Sequence, residues 1–347
     1  MKKLGNRFRR GSVLVFVLAM IVLLSVLCLR LMEETVQELR HVSQFYRRDD
    51  LRMHAYSALD VAAGVLAEFK TFDGGALKPG GGWEDPLAWT ELSPLEENVR
   101  WSISIFDESG KLPLFSTHPK VMKEIFAIMH KGDDGLVDED DGEPYYDALM
   151  DWQDSDDEER DEGAEDDYYE DLNPPYFTPG RNIQSFEELR MVRGFGHDED
   201  DPEEGGLFFD RLGHETQHMR NFRATFSLYN EKSVNFWSAS GFLKKYLAGD
   251  DDDLYESLIS GNAYSQDVLR PTNPLVPTTP TSTVFRVEIS VDKGKANFQL
   301  HAVLGPHDSL PGKVKKPGKT KPGSPLNRKL QYPFRILSLR ENENLID

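Results

Sequence analysis

The chain's densest store of reactive groups is the run Asp151–Tyr176, DWQDSDDEERDEGAEDDYYEDLNPPY. Between Asp133 and Asp171 stand 21 carboxylates and one arginine, a local charge of −20 that equals the formal net charge of all 347 residues. The remainder is balanced, so the imbalance marks one place and not a diffuse acidic surface. Carboxylates this close repel one another unless water, protons or a cation intervene. Hard oxygen donors suit Ca²⁺, which gathers six to eight oxygens at ~2.3–2.6 Å. Asp151, Asp154 and Asp156 can converge through a turn, with Glu165 and Asp166 closing the site. The spacing lacks the loop glycine and ligand alternation of an EF-hand. Two readings of these residues stand side by side, a calcium site and a solvated acidic loop. Trp152, Tyr168, Tyr169 and Tyr176 give the run something to pack, which argues against simple disorder.

A second pattern is His214-Glu-Thr-Gln-His218, a match to H-E-x-x-H. There, two histidines one helical turn apart bind zinc and the glutamate, here Glu215, is the base. Asn221 and Ala224 replace the glycine and histidine of the extended protease motif. Gly213 and a strand expected from Arg223 leave little room for the helix the motif needs, so a surface loop is the favoured reading. No catalytic residue is assigned, and the chain is read as non-enzymatic. Val192-Arg-Gly-Phe-Gly196 looks like the hairpin of a helix-hairpin-helix, whose backbone N–H groups can meet DNA phosphates. The following His197-Asp-Glu-Asp-Asp201 would repel phosphate, so no nucleic-acid partner is expected.

The elements that carry these groups begin with an apolar segment. Val13–Leu29 is 17 residues without a charge, preceded by Lys2, Lys3, Arg7, Arg9 and Arg10. That length is at the short end of what spans a bilayer. Leu29, Arg30, Leu31 and Met32 fit a secretory cleavage site poorly, and the basic leader sets the N-terminus inside. The segment is expected to be a single-pass anchor. From Arg30 to about Phe72 there is no proline and one glycine, Gly64. The expectation is one helix over 12–72, its membrane part 12–30, on the order of 90 Å long. Leu39, Val42, Tyr46, Met53, Tyr56, Ala63 and Leu66 fall at helical spacings and define one apolar face. Its later half suits a sheet of this chain and its earlier half the helices of neighbours. The only cysteine, Cys28, lies in the apolar segment, so no disulfide forms within the chain.

Beyond a Gly- and Pro-rich connection, Val99–Phe106 alternates as a strand and Asp107–Gly110 is a turn. Pro119–Met129 reads as a helix, as does Phe186–Val192 capped by Ser185. Arg223–Tyr229 reads as a strand, and Ser238–Leu247 and Leu254–Ser260 as short helices. Thr283–Val291 and Lys295–Leu304 form a hairpin, and Tyr332–Leu339 is the last strand. Pro311–Pro325 holds five lysines, four prolines and three glycines, too polar to bury a core and expected to be disordered. The class is α+β, a small sheet interrupted by an α-rich middle.

These residues resemble a known family. Arg9-Arg10-Gly11 ahead of the apolar helix is similar to a type IV prepilin leader, which a prepilin peptidase cuts after the glycine. The resemblance implies cleavage between Gly11 and Ser12, with Ser12 the methylated new N-terminus. Phe16 stands where pilin-like subunits usually carry a glutamate that pairs with a neighbour's terminal amine. A subunit at a filament tip needs no such pairing. Asp151-Trp-Gln-Asp-Ser-Asp, Gly163-Ala-Glu-Asp, Tyr168-Tyr169, Pro174-Pro175-Tyr176 and Phe186–Gly194 resemble, in order and spacing, the minor pseudopilin of type II secretion known as general secretion pathway protein K. Phe226-Ser-Leu-Tyr and Val234-Asn235 look like its later strand and turn. Phe236-Trp237-Ser238 departs from the family pattern, and 311–325 looks extra.

The resemblance implies a pseudopilin fold with a large inserted α-helical domain. It divides the chain into a leader (1–11), the helix (12–72), the start of the sheet (73–116), the insert (117–272) and the closing strands (273–347). It also implies a place at the tip of a periplasmic pseudopilus anchored in the inner membrane, minor pseudopilins of the I and J types as partners, and calcium held by Asp151, Asp154, Asp156, Glu165 and Asp166. A tip pilin of a type IV pilus or DNA-uptake machine, and a membrane-anchored zinc hydrolase on His214 and His218, are the alternatives.

Overall fold

The computed structural model describes residues 8–72, 80–131, 139–196, 205–249, 251–260, 273–294, 296–306 and 334–342. The first seven leader residues, the acidic His197–Asp201 stretch and the lysine-rich segment 311–325 lie outside the described residues, and of the side chains of Leu39, Val42 and Tyr46 nothing is described.

Helix α1, Phe8–Phe72, is 65 residues long. It holds no proline, and Ser25 and Thr35 return their hydroxyls to the carbonyls of Ile21 and Leu31 at 2.8 and 2.7 Å. Both hydroxyls are thus satisfied within the helix. Leu14–Gln37 is long and apolar enough to cross a membrane, and among the described residues nothing buries it. After Asp50 the helix changes character. Leu51, Ala55, Ala58, Leu59, Ala62, Leu66 and Phe69 recur three or four apart and are buried. The three alanines let the backbone lie close to the sheet beneath.

Short α2, Pro86–Thr90, is capped by Asp85. Strand β1, Val99–Asp107, follows, then a 3₁₀ turn at Glu108–Gly110 and β2, Leu112–Pro113. Next come α3, Pro119–Lys131, a 3₁₀ turn at Glu139–Gly142, α4, Glu143–Gln153, α5, Asp166–Glu170, and a 3₁₀ helix at Phe186–Met191. They are followed by α6, Gln217–Thr225, β3, Phe226–Ser227, β4, Val234–Asn235, α7, Gly241–Ala248, α8, Asp252–Ser260, and β5, Thr278–Thr279. Strands β6, Phe285–Lys293, β7, Ala296–Pro306, and β8, Phe334–Glu341, close the chain.

The main sheet has the order β1-β6-β7-β8, antiparallel throughout. The expected hairpin is β6–β7, turning at Gly294, whose φ of +65° is left-handed and suits glycine. Ile103 and Ile105 of β1, Val287, Ile289 and Val291 of β6, and Phe298, Leu300 and Ala302 of β7 meet the buried stripe of α1 in one core. Residues Leu112 to Val276 build a second core, centred on Phe126, Phe195, Phe208, Phe222 and Phe226. Phe195 and Phe208 stack at 4.7 Å, and Phe222 and Phe226 lie 4.8 Å apart.

The second core leaves the sheet at one end only. Val99 pairs with Lys293, whose ammonium bonds Asp50 at 2.6 Å, near the start of the buried half of α1. At the other end Asp107 pairs with Phe285, which packs on Phe334, and Phe334 lies under Lys70. The α-rich middle therefore emerges at the end remote from the apolar half of α1. The joint there is polar and buried. One oxygen of Asp107 accepts from Asn235, Ser238 and Ser282 at 2.7, 2.5 and 2.5 Å. Beside it, buried Glu108 is bonded by Arg286 and Lys111.

The α+β expectation holds, with two local corrections. The strand expected over Arg223–Tyr229 begins as the end of α6, through Thr225, and only Phe226–Ser227 is strand. Thr216 caps that helix through Met219 N at 3.3 Å, a cap whose competition with strand propensity the sequence reading missed. On α1, Met53 is 72% exposed, not on the buried face. The alanine positions define that face, because closeness to the sheet outweighs side-chain size.

Candidate functional site

The acidic run is positioned by α4, which places Asp147 and Asp151 one turn apart and ends with Asp154 as its extended C-cap. Aromatic side chains anchor it from below. Trp152 packs edge-on against Tyr169 at 5.2 Å, and Tyr169 lies 5.2 Å from Tyr176. Trp152 and Tyr169 are buried, so this part of the run is packed structure and not a freely solvated loop.

Asp151 is wholly buried. It accepts from the Arg160 guanidinium and, at 3.2 Å, from the Arg160 backbone N–H. The same Nη1 of Arg160 reaches Asp154 Oδ2 at 2.6 Å. Gly163 abuts the Asp151 carboxylate, where a Cβ would fall 1.7 Å from Oδ2. Only glycine lets the loop close over that buried charge. The Arg193 guanidinium then donates to the Gly163 carbonyl. Asp147, also buried, accepts from Glu162 N–H at 3.4 Å, and its burial pushes its carboxyl pKa up.

Of the five candidate ligands, three come together. Oxygens of Asp154, Asp156 and Glu165 lie within 4.8 Å of one another, a span that a hard cation with ~2.4 Å bonds can bridge. Asp154 Oδ1 and both carboxylate oxygens of Glu165 are buried with no hydrogen-bond partner among the described residues. Glu165 is only 6% exposed. Burial, followed by the charges of Asp151, Asp154, Asp166 and Asp157, pushes its pKa up to about 7. Buried oxygens without donors are costly as they stand, and a bound cation would supply what they lack. Asp151 is drawn instead to Arg160. Asp166 Oδ1 accepts from Thr178 N and Oγ1 at 2.7 and 2.9 Å, tying the loop beyond α5 back to it. Arg160, Gly163 and Thr178 were not singled out by the sequence reading. The signal for Arg160 was there, since it is the one basic residue in the run.

A second grouping, Asp50, His54 and Glu96, lies beside the β6–β7 turn. Lys293 already stands within 2.6 Å of both carboxylates and serves as their cation. The H-E-x-x-H residues do not share a helix. His214 precedes α6, is exposed and sits 3.3 Å from Asp210, while His218 lies in its first turn. Glu215 is held by Arg223 at 2.5 Å. The helix for which the sequence left little room is present, but Thr216 caps it between the two histidines, so the zinc geometry is not formed. The Val192–Gly196 segment is a turn with Val192 and Phe195 in the second core, as expected of a structural hairpin.

Residues 134–199, which contain this whole site, match a family model described as Type II secretion system (T2SS), protein K. A type II secretion system protein K of Aeromonas hydrophila is 28% identical over 199 residues, covering 54% of this chain and 59% of that relative. The likeness thus spans less than two thirds of the relative's length. A chain in the crystal structure of the GspK-GspI-GspJ complex from the enterotoxigenic Escherichia coli type 2 secretion system matches with a TM-score of 0.52 and 13% identity, covering 88% of this chain and 100% of that one. At that identity the likeness is one of fold. The resemblance to the protein K family drawn from the sequence is borne out by these matches.

Proposed function

We propose that this chain is the large minor pseudopilin of a type II secretion system, placed at the tip of its pseudopilus and supporting protein export across the outer membrane. The observation that carries the reading is the division of α1: an apolar half left unburied by the described residues, then a half packed on an antiparallel sheet whose far end bears a second core. An unburied apolar helix half suits a lipid bilayer before assembly and neighbouring helices after it. The second core at the remote end obstructs the stacking of a further subunit there, which suits a cap. The partners are minor pseudopilins of the I and J types, the proteins named with GspK in the matching crystal structure. The similarity is to a secretion protein family, not an enzyme family, which supports an assembly role.

The same reading places the N-terminus in the cytoplasm, the globular part in the periplasm, and prepilin peptidase cleavage with methylation at Gly11 and Ser12. The acidic site binds calcium through Asp154, Asp156 and Glu165, with Asp151 and Asp166 organising the loop. Calcium there neutralises carboxylates that otherwise repel and closes the loop on its aromatic base.

A deletion strain should lose export across the outer membrane, and the full chain should restore it. Co-purification of the tagged chain should recover the I- and J-type partners. Restored export without those partners would remove the tip assignment. A pilus or DNA-uptake defect with secretion intact would move the chain to the pilus alternative.

A further inference from the structure

We propose that Arg160 is a built-in counter-cation of the acidic site, holding the loop when calcium is absent and setting how far the fold depends on calcium. The calcium half of this rests on the reading above. Arg160 is the single basic residue among the 21 carboxylates between Asp133 and Asp171. It is anchored twice: its backbone N–H and its guanidinium both bond Asp151, and Nη1 continues to Asp154 Oδ2 at 2.6 Å.

Asp151 is wholly buried, and a buried charge without a partner is strongly destabilising. Arg160 meets that demand, which removes Asp151 from the set of free oxygens. Asp154 is divided. Its Oδ2 belongs to Arg160, while its Oδ1 is buried and unpartnered in the group with Asp156 and Glu165. A metal ion and the guanidinium therefore meet on opposite oxygens of one carboxylate. The guanidinium lowers the site's negative charge by one and opposes a second cation nearby. Without it, Asp151 would lie buried and unpaired, and the site would be one charge more negative. The metal-free fold would weaken while calcium gained hold. Nη1 alone meets both carboxylates, and lysine could keep that charge only as a compact, strongly hydrated ammonium on a shorter side chain.

The test is thermal unfolding and calcium titration of the full chain in detergent, with calcium or with chelator, for wild type, Arg160→Gln and Arg160→Lys. Arg160→Gln should melt several degrees lower in chelator. Its gain in melting temperature on adding calcium should exceed the wild type's, with calcium affinity tighter by about tenfold or more. Arg160→Lys should fall between the two. A variant that folds only with calcium supports the proposal. An unchanged melting temperature of Arg160→Gln in chelator, or weaker calcium binding, overturns it. If Arg160→Gln folds in neither condition, Arg160→Lys decides, and a calcium gain no larger than the wild type's overturns the proposal. A wild type indifferent to calcium, with Arg160→Gln still destabilised in chelator, would overturn the calcium reading and leave the counter-cation role standing.

Discussion

Glu165 concentrates the physics of the acidic site in one side chain. Its carboxyl is buried, meets no donor among the described residues, and offers an oxygen within 4.8 Å of oxygens of Asp154 and Asp156. Burial and like charge raise its folded-state pKa to about 7, above the ordinary value of 4.5. Between those values the folded chain holds a proton that the unfolded chain has released. Its contribution to stability is therefore full at low pH and is lost as pH rises through about 7. In chelator, wild type should lose stability relative to Glu165→Gln between about pH 5 and pH 8. Saturating calcium should remove that difference, because a bound cation stabilises the ionised form. The check is parallel melting curves of the two proteins across that range. A Glu165→Gln protein with the wild-type pH profile would show that Glu165 is solvated and not part of a closed site. At the same scale, His214→Ala should leave export and metal content unchanged, since His214 is exposed and separated from His218 by the Thr216 cap. Lost zinc in that variant, measured by elemental analysis, would restore the hydrolase alternative.

Between elements, the decisive contact is the joint that ties β1 to the α-rich middle. Asp107 collects Asn235, Ser238 and Ser282 on one oxygen, while the other accepts from Ser109 N–H at 2.9 Å. Burial pushes its pKa up, against the pull of those donors. Asp107→Ala would leave several buried donors unpaired and should cost roughly 3 kcal/mol, read by denaturant unfolding. A loss within 0.5 kcal/mol would mean that water reaches the joint and that the network is not structural. The aromatic cluster behind the site is a second such element. Phe222 is buried among Phe126, Phe186, Phe208 and Phe226. Phe222→Ala should cost about 3–5 kcal/mol. Calcium affinity should then fall only through lost folding, because Phe222 lies on α6 and the candidate ligands on α4, α5 and the loop between them.

Over the whole molecule, the sheet works as a spacer. Its near end lies by Asp50, where α1 leaves the buried face, and its far end carries the second core. The apolar half of α1 is unburied among the described residues, and the second core stands away from it. A bulky replacement at Gly11 should leave an unprocessed chain in the membrane, seen as a slower gel band, and should abolish complementation of export. Normal processing of that variant would remove the prepilin-leader reading.

Much of this architecture was legible in the chain itself. The 3.6-residue pattern and the absence of proline marked α1, alternation marked β1, two further runs marked the β6–β7 hairpin, and the concentration of charge marked the stretch that holds the candidate site. These are local properties, carried by a residue's type and its near neighbours. The sequence could not rank Asp151, Asp154, Asp156, Glu165 and Asp166, because ranking carboxylates requires knowing which of their oxygens already have donors. That depends on Arg160 folding back on Asp151, on Gly163 leaving room for it, and on Thr178 returning to Asp166 from 12 residues away. The buried face of α1 likewise followed how closely the sheet approaches the helix, which favours Ala55, Ala58 and Ala62 and leaves Met53 outside. Hydrogen-bond satisfaction and close packing are properties of three-dimensional neighbours, and only the tertiary structure decides them.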